Sequence, residues 1–433
     1  MTTVARKVAA WGRLTEDEHQ WRVVAERTDV VGAIREGGLA YGNGRSYGDV
    51  CLNPGRALWG MQGLDRFIAF DAQAGVIECE AGVLLKDIID IVLPRGWFLP
   101  VVPGTQFVTV GGAIANDVHG KAHHVAGSFG DQVLSFELVR TDGTVLQCSP
   151  TENADWFAAT VGGLGLTGVI TRARLRLRKV VGPWLDAETV PFDSLEEFFR
   201  LSAAAKSSFE YSVSWIDCVR GGRGRGVFFQ GNHGSKTDPV KPPRPKTFPV
   251  TPPVSLINTL SLRLFNFAYY RLNKLKQGSG PQHYVPFFFP LDNLLEWNRI
   301  YGPRGFFQYQ SVVPPAVQLD VTRAMLQEIA RSGLGSFLAV LKTFGDRPAP
   351  GMLSFPMPGT TLALDFPNQG ERTLALFGRL DALVLEAGGR LYPAKDARMP
   401  RKVFEAGFPR LNEFLNYLDP RISSAMSRRL LGR

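Results

Sequence analysis

The segment YGNGRSYGDVCLNPG, Tyr41 to Gly55, packs four glycines, a proline, an arginine and two tyrosines into fifteen residues. Glycine admits positive φ and lets backbone N–H groups approach a ligand closely, and successive exposed amides form a concavity for an anion. Two further clusters follow, in VVPGTQFVTVGGAIANDVHG and in VGGLGLTG. A single cluster of this kind is an ordinary turn. Three of them, separated by strands, imply a long ligand held by main chain at several points. GLGLTG, Gly163 to Gly168, matches a dinucleotide fingerprint as text, but an apparent helix precedes it and a strand follows, the reverse of what that motif requires. The G-x-x-x-x-G-K-[ST] phosphate loop does not occur. His119, His123 and His124 of HGKAHH stand at i, i+4 and i+5, without H-E-x-x-H or a cysteine pair, and no metal site is expected there.

The elements that must position these loops are legible in outline. RFIAFDAQAGVIECEAG gives two strands with a turn at Ala74–Gly75, followed by a helix from about Leu84 to Leu93. VLSFELVRTDGTVLQCSP is a hairpin turning at Asp142–Gly143. VITRARLRLRKV alternates, with Ala173, Leu175 and Leu177 on one side and Arg172, Arg174, Arg176 and Arg178 on the other. A boundary falls near VVGPWLDAE. Beyond it, SLEEFFRLSAAAKSS is a helix opening on a serine cap, and YSVSWIDCV, GRGVFFQGN, FFQYQSVVP, SFLAVLKTFG and TTLALDFP are strands. VTRAMLQEIARSG and RTLALFGRLDALVLEAGG have helical periodicity. GSKTDPVKPPRPKTFPVTPPVS reads as an exposed, mobile loop. LINTLSLRLFNFAYYRLNKLKQGSG reads as a helix, either packed on the surface or part of a membrane-facing lid. The class is α+β.

The chain has 433 residues, 45% hydrophobic, 21% charged and 11% aromatic, a globular composition long enough for two domains. A formal charge of +9 favours anionic partners, but the arginines are scattered and no basic run suggests nucleic acid. Cys51, Cys79, Cys148 and Cys218 form no C-x-x-C pair, so no disulfide framework is expected. Neither a signal peptide nor a membrane span is read, which points to the cytoplasm or the inner-membrane surface, with the periplasmic face open.

GNGRSYGD, VVPGTQFVTVGGAIANDVHGKAHHVAGSFGDQV and ATVGGLGLTGVI together resemble the FAD-binding domain of vanillyl-alcohol-oxidase type flavoproteins. ANDVHGKAHH, EWNRIYGPRGFFQYQ and GGRLYPAKDARM resemble the branch that oxidises a polyprenyl-phosphoryl ribose. The resemblance implies a two-domain PCMH-type fold: an FAD-binding domain at 1–181, a substrate domain of antiparallel sheet and helices at 182–390, and a segment at 391–433 returning to the first domain. It implies oxidation of the ribose 2-hydroxyl to a 2-keto sugar, the first half of an epimerisation that yields the arabinose donor for cell-wall polysaccharide. A separate NAD-dependent short-chain reductase would complete it. Peripheral membrane contact would follow from the lipid substrate. A soluble polyol or sugar-lactone oxidase, and a flavin-free binding protein on the same scaffold, are the rival readings.

Carried over residue by residue, the resemblance places the cofactor against Tyr41, Gly42, Asn43, Gly44, Arg45, Ser46, Tyr47, Gly48 and Asp49. Thr109, Val110, Gly111 and Gly112 would grip its pyrophosphate from the other side, and Gly104, Asn116, Asp117, Val118, His119, Ile170 and Tyr392 would line it. Relatives with covalent flavin often carry histidine where this chain has Arg45, so the FAD is expected to be non-covalent. Lys395, His119 and Tyr47 are the candidate catalytic groups. Lys395 is either a desolvated base for the hydroxyl proton or a cation that stabilises charge at the flavin. Trp215, Gln308, Gln310, Lys342, Thr361 and Ala363 would form the substrate pocket, although Tyr47 and Trp215 also suit a core, and Gln308, Gln310 and Lys342 also suit a solvated face. The branch has asparagine and cysteine where this chain has Thr361 and Ala363, and a tyrosine where it has Phe288, changes that bear on which hydroxyls are read.

Overall fold

A computed structural model describes residues 3–238 and 245–433. Three sheets carry the fold. The first joins β1 (Thr3–Ala9), β2 (Glu16–Val23), β3 (Leu39–Tyr41) and β4 (Ala57–Gly60) in the order β1-β2-β4-β3, with β4 parallel to both neighbours. The second joins β5 (Phe67–Asp71), β6 (Val76–Glu80), β7 (Val133–Val139), β8 (Val145–Cys148) and β9 (Val169–Arg176) in the antiparallel order β5-β6-β9-β7-β8.

Alternation decides how β9 sits. Ala173 and Leu175 are buried, and Arg172 turns outward to pair with Glu78 at 2.9 Å and Glu137 at 3.2 Å on the flanking strands. The basic face is thus neutralised across the sheet. Helix α1 (Leu85–Val92) follows β6 and buries Leu85, Ile88, Ile89 and Val92, the i, i+3, i+4, i+7 stripe that an amphipathic helix presents to a core.

The third sheet has eight strands. These are β10 (Trp184–Phe192), β11 (Tyr211–Ile216), β12 (Gly226–His233), β13 (Gly278–His283), β14 (Phe306–Val313), β15 (Val340–Phe344), β16 (Gly359–Pro367) and β17 (Arg390–Leu391). Their order is β13-β10-β12-β11-β15-β16-β14-β17, and every pairing is antiparallel. Inward residues such as Phe228, Leu341, Leu362, Leu364 and Phe366 share one core with the chain's larger helices, which bury Leu195 and Phe198, Met325 and Ile329, and Leu376 and Leu380. The opposite face carries Trp215 and Val227, which pack with Tyr270.

The last forty residues pack back on the first part of the chain. Gly38 N donates to Arg421 O at 3.0 Å, Ala425 N to Leu52 O at 2.7 Å, and Arg140 Nη1 to Tyr417 O at 3.1 Å.

Three differences from the sequence reading have local causes. The N-terminal hairpin β1–β2 was not expected, because five of seven β1 residues are exposed and carry little periodic signal. The helix read over residues 256–280 ends at Leu275, and Gly278–His283 forms an edge strand instead, since Gly278, Gly280 and Pro281 cannot continue a helix but are tolerated at an edge. The loop read over residues 234–255 contains a short strand, Lys246–Thr247, paired in parallel with Leu294–Leu295, and its residues 239–244 lie outside the described residues. No helix among the described residues is long and apolar enough to cross a membrane.

Candidate active site

The first glycine loop leaves β3 and runs between the N-terminal strand pair and the segment around Lys395. Trp11 N donates to Ser46 O at 2.9 Å, Gly12 N to Tyr47 O at 3.1 Å, and Tyr47 N to Ala394 O at 3.2 Å. A Cβ on Gly48 would strike the backbone of Asp396, so glycine permits this close approach. Gly44 holds φ +59, and a side chain there would also meet the Tyr41 hydroxyl. The amides of Asn43, Gly44, Arg45 and Ser46 have no protein acceptor among the described residues. Arg45 lies 4.3 Å above the Trp11 ring, and its buried Nε has no partner. Free amides beside an orphaned guanidinium donor fit a phosphate group, which makes this loop a suitable holder for an FAD pyrophosphate. Gln62 reaches the Gly42 carbonyl, and Asn43 Nδ2 donates to Phe107 O at 2.7 Å, which ties the loop to the second cluster. Asp49 instead takes Arg429 Nη2 at 2.8 Å and Nε at 2.9 Å, so its carboxylate anchors the C-terminal helix.

The second cluster forms a short helix, α2 (Val110–Ala115), capped by Thr109, whose Oγ1 accepts from Gly112 N at 3.2 Å. Val110 N donates to Val83 O at 2.9 Å and Gly111 N to Ala81 O at 2.8 Å. These three amides are engaged inside the protein, so the loop offers a ligand its side chains and shape. Asn116 donates to Gly112 O at 2.8 Å, leaving its Oδ1 buried and unpaired. Asp117, at φ +40, accepts from Gly130 N at 2.8 Å and keeps an orphaned Oδ2, with burial lifting its pKa to about 6. Val118 exchanges backbone bonds with Ala113 and Phe129. Gly104 borders open space, Ile170 is buried opposite Leu138 on β7, and Tyr392 donates to Asn116 O at 2.8 Å. The third cluster braces the second: Gly162 N donates to Ile114 O and Leu164 N to Ala115 O.

Strand register assembles the other side. Gln308 lies opposite Asp365, Gln310 opposite Ala363, Lys342 opposite Thr361, Val340 opposite Ala363, and Trp215 opposite Val340. Paired residues share a face, so Trp215, Gln308, Gln310, Lys342, Thr361, Ala363 and Asp365 all project from the same side of the sheet. Trp215 stands at the far end of this set, where Nε1 donates to Phe337 O at 2.9 Å and the ring packs with Tyr269 and Tyr270.

His119 joins the loop to the sheet. Lys342 Nζ lies 2.9 Å from His119 Nδ1 and donates to Gly120 O at 2.6 Å, while Gln310 Nε2 lies 3.1 Å from His119 Nε2 and 3.2 Å from Thr361 Oγ1. Burial first, and the neighbouring lysines second, hold His119 well below its ordinary pKa, so the ring is neutral. A charged Lys342 requires Nδ1 to accept. Nε2 then carries the proton and needs the Gln310 carbonyl oxygen, which a half-turn of that amide supplies. His123 and His124 diverge: Gly345 N donates to His123 Nδ1 at 3.2 Å, and His124 Nε2 donates to Phe209 O at 2.8 Å.

Three lysines line this region. Lys395 Nζ sits 3.9 Å above the Tyr47 ring; burial lowers its pKa and Asp365 opposes that shift. Burial raises Asp365 in turn, against the pull of Lys395 and a 2.6 Å hydrogen bond from Gln308 Nε2. Lys342 has no carboxylate beside it, and burial with help from Lys121 and Lys395 brings it to about 7. Lys121 reaches the Phe287 carbonyl, and burial brings it to about 7 as well. Sequence reasoning missed Asp365 and Lys121. Asp365 was nonetheless visible as a lone acid two places beyond Ala363 in an apolar strand. Lys121 lies in the HGKAHH segment, whose histidine spacing is the more conspicuous signal. Phe288 packs among Tyr211, Phe98 and Phe287, where position 288 itself brings no hydroxyl and the Tyr211 hydroxyl donates to Glu210 at 2.9 Å.

Residues 9–149 match the family model described as an FAD binding domain. The whole chain is similar to decaprenylphosphoryl-beta-D-ribose oxidase of Mycolicibacterium smegmatis, with 36% identity covering 99% of this chain and 98% of the relative. A Streptomyces coelicolor protein described only by its position, in the mprA 5' region, is 31% identical over 77% of this chain and 94% of its own. L-gulonolactone oxidase of Mus musculus is 34% identical over 31% of this chain and 30% of its own.

Proposed function

The chain belongs to the family of FAD-dependent oxidases that includes decaprenylphosphoryl-beta-D-ribose oxidase, and on that footing we propose that it oxidises the 2-hydroxyl of a polyprenyl-phosphoryl ribose to the 2-keto sugar. The observation that supports this reading is the sheet face itself, where Lys342 and Gln310 meet His119 and Gln308 meets Asp365, beside Lys395 over the Tyr47 ring. A cationic Lys395, joined by Lys342 once it has taken a proton, suits a sugar that carries a phosphodiester.

The loops at residues 42–46 and 104–119 would hold FAD without a covalent bond, and bound there it would supply a two-electron acceptor for the hydride of the carbinol carbon. The protein must place that carbon and remove the hydroxyl proton. Asp365 keeps Lys395 cationic, which suits Lys395 to stabilising negative charge as it develops. Lys342 lacks a carboxylate and stands near neutrality, so it is the better proton acceptor, with neutral His119 fixing its direction. Gln308 and Gln310 supply amides to orient sugar hydroxyls, each already braced by Asp365 or Thr361. Reduction of the ketone from the opposite face is the work of a separate NAD-dependent short-chain reductase in this reading.

The test is anaerobic bleaching of the purified yellow protein. Polyprenyl-phosphoryl ribose should bleach it within seconds, and free polyols or sugar lactones should not. Bleaching by soluble polyols alone would replace this reading with that of a soluble sugar oxidase. A protein that takes up no flavin would overturn both.

A further inference from the structure

The helix α3 (Thr259–Leu275) has two apolar sides, and the fold uses one of them. Leu262, Asn266 and Tyr270 point inward, with Asn266 Nδ2 donating to Asp217 Oδ1 at 2.8 Å and Tyr270 OH to Asp193 Oδ1 at 2.8 Å. Tyr269 packs on Trp215 with ring centroids 4.8 Å apart, so the helix lies on the sheet face that also carries the site. The outward side repeats Leu260, Leu264, Phe267, Arg271 and Leu275 at i, i+4, i+7, i+11 and i+15, a single stripe on a helix. Leu260 is 68% exposed, Leu264 62%, Phe267 48% and Leu275 83%. The approach to the helix adds Val250, Val254 and Leu256, all exposed. Contiguous apolar exposure of this kind marks an interaction surface, not scattered surface residues.

Charge selects the occupant. Between Asp238 and Asp292 the sequence contains no acidic residue, and it contains seven basic ones: Lys241, Arg244, Lys246, Arg263, Arg271, Lys274 and Lys276. On the helix, Arg263 and Lys274 flank the stripe. The Arg271 guanidinium folds over the Phe267 ring at 5.4 Å, as a cation does when its stem lies along apolar surface and its head seeks the polar edge. A protein partner would be met by mixed charge and hydrogen-bonding groups. Here Asp193 lies 3.9 Å from Lys274, but the helix itself carries no acid. An apolar stripe with Arg263, Arg271, Lys274 and Lys276 on its own helix and the next residue complements the hydrocarbon and phosphate layers of an anionic bilayer.

We propose that α3 docks the enzyme on an anionic lipid surface, lying in the interface plane with Leu260, Leu264, Phe267 and Leu275 immersed and the basic residues at the phosphates. This rests on the reading above only in that a lipid-linked sugar is drawn from such a surface, and the helix packs on the sheet face that carries the candidate site residues.

The full-length holoprotein is to be floated with phosphatidylglycerol–phosphatidylcholine vesicles and with phosphatidylcholine vesicles. Binding to the anionic vesicles is expected, weakening as salt rises. Leu264→Glu and Phe267→Glu should each weaken it about tenfold or more. Arg263→Gln and Lys274→Gln should weaken it by roughly fivefold for each cation removed. Flavin absorbance and melting temperature confirm folding of the variants, and the salt dependence of the unaltered protein reads the same surface without any variant. Absence of binding, equal binding by the variants, or a concentration-dependent dimer that Leu264→Glu dissolves would each overturn the proposal. Turnover of a short-chain substrate dispersed in detergent should be untouched by Leu264→Glu. If that turnover is absent while vesicle binding stands, the substrate assignment fails and the docking surface survives.

Discussion

Lys342 and Lys395 are both buried, yet their surroundings send them to different charge states. Asp365 opposes the desolvation of Lys395, whereas Lys342 meets only a carbonyl, a neutral ring and other lysines. If Lys342 takes the hydroxyl proton it must be unprotonated, so kcat/KM should rise with pH through about 7. Lys342→Met should lower kcat by about 100-fold or more and abolish that rise, while flavin binding persists. A profile unchanged by the substitution would remove Lys342 from the role. The same residue makes a stability prediction. Its pKa is lowered from 10.5 in the unfolded chain to about 7, so between these values the unfolded state binds more protons and stability rises with pH. The slope from this group is at most about 1.4 kcal/mol per pH unit, and urea titrations of Lys342→Met should lack it. Asp365→Asn leaves Lys395 buried without its counter-charge. Because burial raises Asp365 to about 7, its counter-charge is present above that pH. The substitution should therefore destabilise by about 3 kcal/mol near pH 7.5 and by less as pH falls, and the double variant with Lys395→Met should recover most of the loss, since removing both charges removes the desolvation problem.

At the scale of elements, the first glycine loop does two jobs, and glycine is needed for each. Gly48 lets the loop touch the Asp396 backbone, and Gly44 turns the chain so that four amides stay free. Gly44→Ala forces a side chain into a left-handed conformation, costing about 1 to 2 kcal/mol before its clash with Tyr41. FAD affinity, measured by fluorescence titration, should fall at least about tenfold, with a smaller change in melting temperature. Unaltered affinity would show that the loop's amides do not hold the cofactor. This loop, the β7–β8 hairpin and the capped helix at Leu195–Ser208 were legible because each rests on local rules: glycine, a turn dipeptide, a serine cap. The partners of the amides in α2 were not legible. Whether Val110 N faces a ligand or Val83 O depends on the turn between β6 and α1, twenty-odd residues away, and no local pattern records that. The sheet face was half legible. Alternation put Gln308 and Gln310 on one side, but only register across β14, β15 and β16 shows that Lys342 and Asp365 join them. Asp49 read as a cofactor residue because its partner, Arg429, is 380 positions away.

The whole molecule brings the site together from distant stretches of chain: residues 42–46, 104–119, 308–310, 342, 365 and 395 converge on one region. Such a site has no local support, so its order depends on the sheets and on the C-terminal segment that returns to the first part. Arg429 carries much of that return, bonding Asp49 at 2.8 Å, Asp396 at 3.0 Å and the Met399 carbonyl. It clamps the first glycine loop to the segment bearing Lys395. A ligand bound among these converging segments should therefore stabilise the molecule as one unit. By mass action, FAD at a hundredfold excess over its dissociation constant adds about 2.7 kcal/mol to the folded state. Protein stripped of flavin should melt a few degrees lower than holoprotein and recover fully when FAD is restored. Arg429→Ala should weaken this linkage: the clamp is gone, part of the binding energy goes into ordering the loop, and the gain on adding FAD shrinks. Scanning calorimetry of stripped, reloaded and Arg429→Ala protein reads all three states. A flavin-induced rise that is the same with and without Arg429 would mean that the glycine loop is ordered independently of the C-terminal helix and meets the cofactor without this clamp.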